Sequence, residues 1–135
     1  KKYLVPKLHQ VLKAFKKECP DCKITYYSKM THLEYLEEVS CPEIDTLGFD
    51  WRVNLKEALL RFSGQHFVQG NIDPAWLHLP WQHLEDNLNE LREDMLPVQD
   101  LWNKWIFGLG HGVTVQTPEA NVQKTVEWVH KNLVW

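Results

Sequence analysis

Five stretches of the chain place apolar residues at helical spacing, and four short β-branched or aromatic runs lie between them. Leu4, Leu8, Val11, Leu12 and Phe15 share one helical face, with Lys7, Lys13, Lys16 and Lys17 mostly off it. Residues 3–18 therefore read as a helix that Pro20 stops. Lys23 to Ser28 follows as a strand. Leu33, Leu36 and Val39, with Glu34, Glu37 and Glu38 between them, predict a short helix over 31–39, and a second strand covers 44–49. Asn54 and Glu57 have the form of a capping box. The helix they open puts Leu55, Ala58, Leu59 and Phe62 on one side and ends at Ser63-Gly64. Residues 66–69 predict a third strand closed by Gly70, and Asp73-Pro74 starts a turn running through Leu77. Pro80, at a first helical position, opens a longer helix with Leu84, Leu88, Leu91 and Met95. Residues 97–104 read as an irregular connection whose Leu101 and Trp102 pack against something. The fourth strand, 105–107, ends in Gly108-Leu109-Gly110-His111-Gly112. Thr117 as cap, with Pro118 and Glu119 in the first turn, starts a last helix whose buried stripe is Val122, Val126, Val129 and Leu133.

Strands alternate with helices at spacings long enough for crossovers, which makes the fold class α/β with a parallel sheet covered by helices. An open doubly wound sheet usually carries its phosphate site in the first βα turn. Here that turn is Ser28-Lys29-Met30-Thr31, without glycine, and the glycine-rich turn follows the last strand instead. A barrel places functional loops after every strand, so four βα units of a (β/α)8 barrel fit better.

At 135 residues the chain is one domain, 1–135, or part of one. With 15 Lys+Arg against 18 Asp+Glu, its net charge of −3 argues against nucleic acid as a partner. No apolar run approaches 18 residues, which argues against a membrane span, and no signal peptide is visible. The three cysteines, Cys19, Cys22 and Cys41, make an odd count, for which a reducing, cytoplasmic setting is simplest. Cys19-Pro20-Asp21-Cys22 has the spacing of redox and zinc sites. It lies where a helix ends and lacks a second ligand pair, so it reads as a turn.

In parallel α/β folds the C-terminal ends of the strands face the site. Four turns are thereby singled out: Ser28-Lys29, Asp50-Trp51-Arg52, Gly70 to Asp73, and Gly108 to Gly112. His111 is the sharpest candidate, because Gly110 and Gly112 let the backbone bend and approach a ligand closely. Its imidazole can donate to a carboxylate or move a proton near neutral pH. Lys29 could bind an anion. Asp50 and Arg52 could act on a substrate or pair with neighbours at a rim, and Asn71 and Asp73 have the character of turn formers. His9, His32, His66, His78, His83 and His130 show no spacing for a metal site.

Taken together, Gly48-Phe49-Asp50-Trp51-Arg52, then Gln69-Gly70-Asn71-Ile72-Asp73-Pro74, then Gly108-Leu109-Gly110-His111-Gly112 resemble the uroporphyrinogen decarboxylase family. The family's pattern there is close to GLDWR, QGNLDP and NLGHG, in that order. Lys56-Glu57-Ala58 and Thr117 to Val122 resemble the segments that follow. Three departures stand out: Gly108 in place of the usual Asn, Met30-Thr31 where bacterial members tend to have glycines, and a distinctive stretch from Pro97 to Trp105.

The resemblance implies the C-terminal half of a TIM (β/α)8 barrel. It implies cofactor-free decarboxylation of the four acetate side chains of uroporphyrinogen, giving coproporphyrinogen in haem biosynthesis, with no metal. In that mechanism the protonated pyrrole ring takes up the electrons as carbon dioxide leaves. Of the family's main site residues the histidine of NLGHG maps here, onto His111, where it contacts a substrate carboxylate; Lys29, Asp50 and Asn71 are further candidates, with Gly108, Gly110 and Gly112 forming the loop. The family's arginines, aspartate and tyrosine belong to a segment that this chain does not match. Four βα units do not close a barrel, so the expected partners are the porphyrinogen and either the other half of the barrel or a second copy in a homo-oligomer. The isolated chain is expected to be inactive. A non-catalytic half-barrel interaction module is the alternative. A zinc methyltransferase relative would need a His-x-Cys where Ser28-Lys29-Met30 stands, and a cysteine after Cys41.

Overall fold

A computed structural model describes residues 3–133. The described chain runs α1 (Leu4–Glu18), β1 (Thr25–Ser28), α2 (Leu33–Val39), β2 (Thr46–Phe49), α3 (Leu55–Phe62) and β3 (Phe67–Ile72). After a 3-10 turn at Pro74–His78 come α4 (Trp81–Met95), a second 3-10 segment (Leu96–Lys104), β4 (Trp105–Leu109) and α5 (Glu119–Asn132). The four strands form one sheet in the order β1-β2-β3-β4, every neighbouring pair parallel. This is the four-unit α/β arrangement expected of part of a barrel wall.

Strand alternation gives the sheet two unlike faces. Tyr26, Leu47, Val68 and Trp105 lie in one cross-strand row facing the helices. They join Leu36, Val39, Phe49, Ala58, Leu59, Leu84, Leu88 and Trp102 in the core. The opposite rows, Thr25-Thr46-Phe67 and Tyr27-Gly48-Gln69-Ile106, line the other face. Tyr27, Phe67 and Ile106 are there 46%, 40% and 41% exposed, so no helix covers that side.

Local chemistry explains most boundaries. The Asn54 side chain accepts the Glu57 N–H at 2.9 Å, but Glu57 turns away to Arg61 at 2.7 Å, so the capping box is only half made. Asp73 caps the 3-10 turn through the Ala75 N–H at 2.9 Å. Asp45 accepts from the Ile24 N–H, Lys16 and Lys23, tying the N-terminal ends of β1 and β2 together. Trp102 and Leu101 do pack inward, and the Trp102 indole N–H reaches the Met95 carbonyl.

Several expectations need correction. β3 does not stop at Gly70 but runs to Ile72, because Gly70, Asn71 and Ile72 pair with Phe107, Gly108 and Leu109. Pro80 and Pro118 occupy cap positions rather than first helical positions. Thr117 caps nothing; its hydroxyl serves the Thr114 N–H. In α5 the buried side is Thr125, Trp128 and the C-cap Leu133, and Val126 faces solvent. In α1 the buried residues are Val5 and Leu12, whereas Leu4, Val11 and Phe15 are exposed. α1 packs on α2, and α5 packs on the Pro74–His78 turn and meets α4 through Arg92. Cys19 and Cys22 form a disulfide across their turn, against the expectation of unpaired thiols, and Cys41 is free and buried.

Candidate functional site

The C-terminal ends of the strands bring the four singled-out turns into one connected structure, the first of them through the Met30 N–H on Asp50. Its centre is Gly110. The Gly110 N–H donates to the Ile72 carbonyl at 2.7 Å, drawing the turn after β4 back over the end of β3. A Cβ at Gly110 would lie 2.8 Å from the Trp51 backbone nitrogen and 2.9 Å from the Asp50 Cα, so only glycine fits. Gly108 and Gly112 have open space around them, so close approach demands glycine at one of the three loop positions. The Gly110 carbonyl accepts the Tyr27 hydroxyl.

His111 follows on this anchored backbone. Its ring meets Trp51 edge to face with centroids 5.0 Å apart, and Nδ1 lies 2.7 Å from the Gly112 carbonyl. As the carbonyl can only accept, Nδ1 carries the proton in the neutral ring, which leaves Nε2 for an outside group. The Arg52 guanidinium stacks on Trp51 at 4.5 Å.

Asp50 and Asn71 are buried beneath this turn. The Asp50 carboxylate accepts the Met30 N–H at 2.7 Å, the Arg52 N–H at 3.1 Å and the Arg52 guanidinium at 2.8 Å. Burial alone would raise its pKa, but those N–H groups and the Arg52 charge hold it below the ordinary value. The Asn71 amide donates to the carbonyls of Asp50 at 3.1 Å and Val53 at 2.6 Å. Their hydrogen bonds are thus directed at backbone and at Arg52. Gly70, at φ +126°, sits under the Phe49 carbonyl, 2.7 Å from where a Cβ would be. Lys29 lies exposed just past β1. Asp73 caps its own turn.

Two residues of this arrangement were not singled out in the sequence. Tyr27 read as strand and Trp51 as a spacer between charges. The GxGxG spacing could have hinted that something bulky rests against its central glycine, but the partners stand far away in the chain.

Enclosed space here is small. A cavity of about 240 Å³ lies among Trp51, Asn71, Asp73, Trp76 and Leu91, below the usual span of ligand pockets. A larger one, about 370 Å³ between α4 and α5, lies on the helical side, away from the strand ends. Among the described residues no three His, Cys, Asp or Glu are grouped to hold a metal, and no helix is long and apolar enough to cross a membrane. Elsewhere His66 is buried, bonded to the Ser40 hydroxyl at 2.6 Å and the Ile44 carbonyl at 2.9 Å. Ser40 caps the C-terminus of α2, where the helix dipole disfavours an alkoxide, so the pair joins elements rather than forming a nucleophile.

Comparison with known proteins gives the family. The family model described as uroporphyrinogen decarboxylase (URO-D) matches residues 1–132. A uroporphyrinogen decarboxylase of Legionella pneumophila (strain Lens) is 33% identical over 126 residues, covering 92% of this chain and 34% of the relative. Uroporphyrinogen decarboxylase 1, chloroplastic, of Oryza sativa subsp. japonica is 32% identical over 117 residues, 87% of this chain and 28% of the relative. One from Paraburkholderia phytofirmans is 35% identical over 101 residues, 73% and 26% of the two chains. The chain thus spans about a third of the length of the curated relatives it matches.

Proposed function

Because the chain belongs to the uroporphyrinogen decarboxylase family, we propose that it supplies one part of a decarboxylase acting on uroporphyrinogen, with His111 as its substrate contact. The observation that supports this is the anchored turn. His111 stands at the strand ends with Nδ1 donating to the Gly112 carbonyl, so that Nε2 donates to a carboxylate when the ring carries both protons.

In this reading the chemistry belongs mainly to the substrate. Protonation of a pyrrole ring makes it an electron sink. The bond between the acetate methylene and its carboxylate then breaks, carbon dioxide leaves, and the electron pair enters the ring. Protonation of the exocyclic methylene then gives a methyl group, and loss of the proton first added to the ring restores the pyrrole, for a net uptake of one proton per carbon dioxide released. The protein's task is to hold acetate groups in place and supply protons. His111 and Lys29 are assigned to carboxylates, and Asp50 and Asn71 to holding the turns that carry them. No cofactor is assigned.

The reading also says what this chain lacks. The substrate carries eight carboxylates, and among the described strand-end residues Lys29, Arg52 and His111 are the basic ones, with Arg52 already paired to Asp50. Further cations must come from a partner across the uncovered sheet face: the remaining part of a barrel or a second copy. As one domain of four βα units, residues 1–135 are therefore expected to show no turnover alone.

The test is His111→Ala in the complete enzyme, formed by this chain with the remaining two-thirds of a relative. Loss of one hydrogen bond to a charged group predicts a roughly 10- to 100-fold drop in kcat/KM. Thermal stability should hold, since His111 is only half-buried. Unchanged turnover would remove His111 from the site.

A further inference from the structure

Tyr27 leaves the end of β1 on the uncovered sheet face, and its ring lies across Gly48 of the next strand. A Cβ at Gly48 would come 3.2 Å from the Tyr27 Cδ2, so the glycine leaves the ring just room to lie flat. The hydroxyl ends on the Gly110 carbonyl, 83 residues away in the chain. β1 and β4 are the outer strands of the sheet, and strands stand about 4.8 Å apart. A tyrosine could not span three such spacings. It reaches Gly110 because the turn after β4 has folded back over β3 onto Asp50 and Trp51, where Gly110 packs.

We infer that Tyr27 is a positioning residue for His111, its hydroxyl pinning the Gly110 carbonyl so that the His111 ring is presented against Trp51. The inference rests on the reading of His111 as a substrate contact. Three groups hold Gly110, each from a different strand end: the Ile72 carbonyl from β3, the Trp51 backbone from the turn after β2, and the Tyr27 hydroxyl from β1. The first two fix where the glycine lies. The third fixes the plane of the peptide that joins Gly110 to His111, because it holds that peptide's oxygen. Rotation of that plane would swing the imidazole off Trp51. Burial, with the Asp50 charge adding to it and Arg52 opposing, raises the Tyr27 pKa, so the phenol keeps its donor through the neutral range. Tyr27 thereby makes the end of β1 part of the His111 arrangement, although the two are at opposite edges of the sheet.

Tyr27→Phe in the 135-residue chain tests this, because it removes one oxygen and keeps the ring on Gly48. Two NMR readouts apply: hydrogen exchange of the Gly110 amide, and the shift of the His111 Cε1 proton, which lies in the ring-current field of Trp51. We expect Gly110 exchange to speed by about three- to tenfold, the worth of one hydrogen bond, and the His111 proton to move toward the position of a solvent-exposed histidine. The amides of Leu47 and Val68 should keep their protection. Gly48→Ala, which crowds the ring while keeping the hydroxyl, should move both signals in the same direction by less. If Tyr27→Phe leaves both Gly110 exchange and the His111 proton unchanged, Tyr27 does not position the turn. Whether His111 touches substrate is read separately from turnover of His111→Ala, so either idea can fail while the other stands.

Discussion

Gly110, like Gly70, has no room for a side chain. Its Cα faces the Trp51 backbone, and the atoms a methyl would strike cannot swing aside as a flexible side chain could. Gly110→Ala is expected to cost about 1–3 kcal/mol, the usual toll of overpacking, measured by denaturant unfolding, and to break the Trp51–His111 contact. Gly108→Ala and Gly112→Ala, with open space around them, should change stability by less than about 0.5 kcal/mol. At this scale the sequence was legible in part. The glycines and His111 stand together in one turn and can be seen at a glance. Tyr27 and Trp51 reach that turn through the fold, and no periodicity links β1 to the end of β4. Asp50 and Arg52 stood two apart in a turn, a spacing open to catalysis but read first as pairing at a barrel rim. The structure shows the pair made, with Met30 as a further partner.

Among the elements, helices and strands were readable because their apolar spacing is strong, and their ends less so. β3 outran its expected stop since pairing with β4 carries it through Gly70. The stripes of α1 and α5 were right only in part: Leu8, Leu12, Val122, Val129 and Leu133 pack inward while Leu4, Val11, Phe15 and Val126 are exposed, because periodicity finds an apolar face without telling which neighbour is there to cover it. Trp105 shows what holds β3 and β4 together beyond the ladder. It is buried, and its indole N–H donates to the Gly70 carbonyl at 2.7 Å. Trp105→Phe removes that hydrogen bond and is expected to cost about 0.5–1.5 kcal/mol in chemical denaturation. Asp45 makes the opposite end of the sheet sensitive to acid. The Ile24 N–H is the main cause of its pKa of about 2, with Lys23 and Lys16 adding and burial opposing. A depressed carboxylate stabilises the fold above its unfolded pKa, near 4, and loses that contribution as pH falls through the folded value. Discounted for partial exposure, the contribution is on the order of 1–2 kcal/mol. Asp45→Asn should therefore lower the unfolding free energy at pH 7 and flatten its decline between about pH 4 and pH 2. An equal slope in wild type and variant would contradict the assignment.

The whole molecule has the form of a wall without its other side. Four parallel strands leave β1 and β4 with no further strand beside them among the described residues, and Tyr27, Phe67 and Ile106 face outward on the uncovered side. The curated relatives run to about three times this length. Sequence motifs carried the family, since three turn signatures in the right order are hard to produce otherwise, and they foresaw an incomplete barrel. What the sequence could not convey is how the turns lock to one another, which is where the position of His111 is set. We propose that this chain contributes His111 to a decarboxylase it does not complete alone. The most direct measurement is coproporphyrinogen formation from anaerobically prepared uroporphyrinogen by the purified chain, and by the chain joined to the remaining two-thirds of the Legionella relative. No product from the chain alone, product from the joined protein, and loss of that product on His111→Ala is the predicted result. Product from the chain alone, or a joined protein indifferent to His111→Ala, would contradict it.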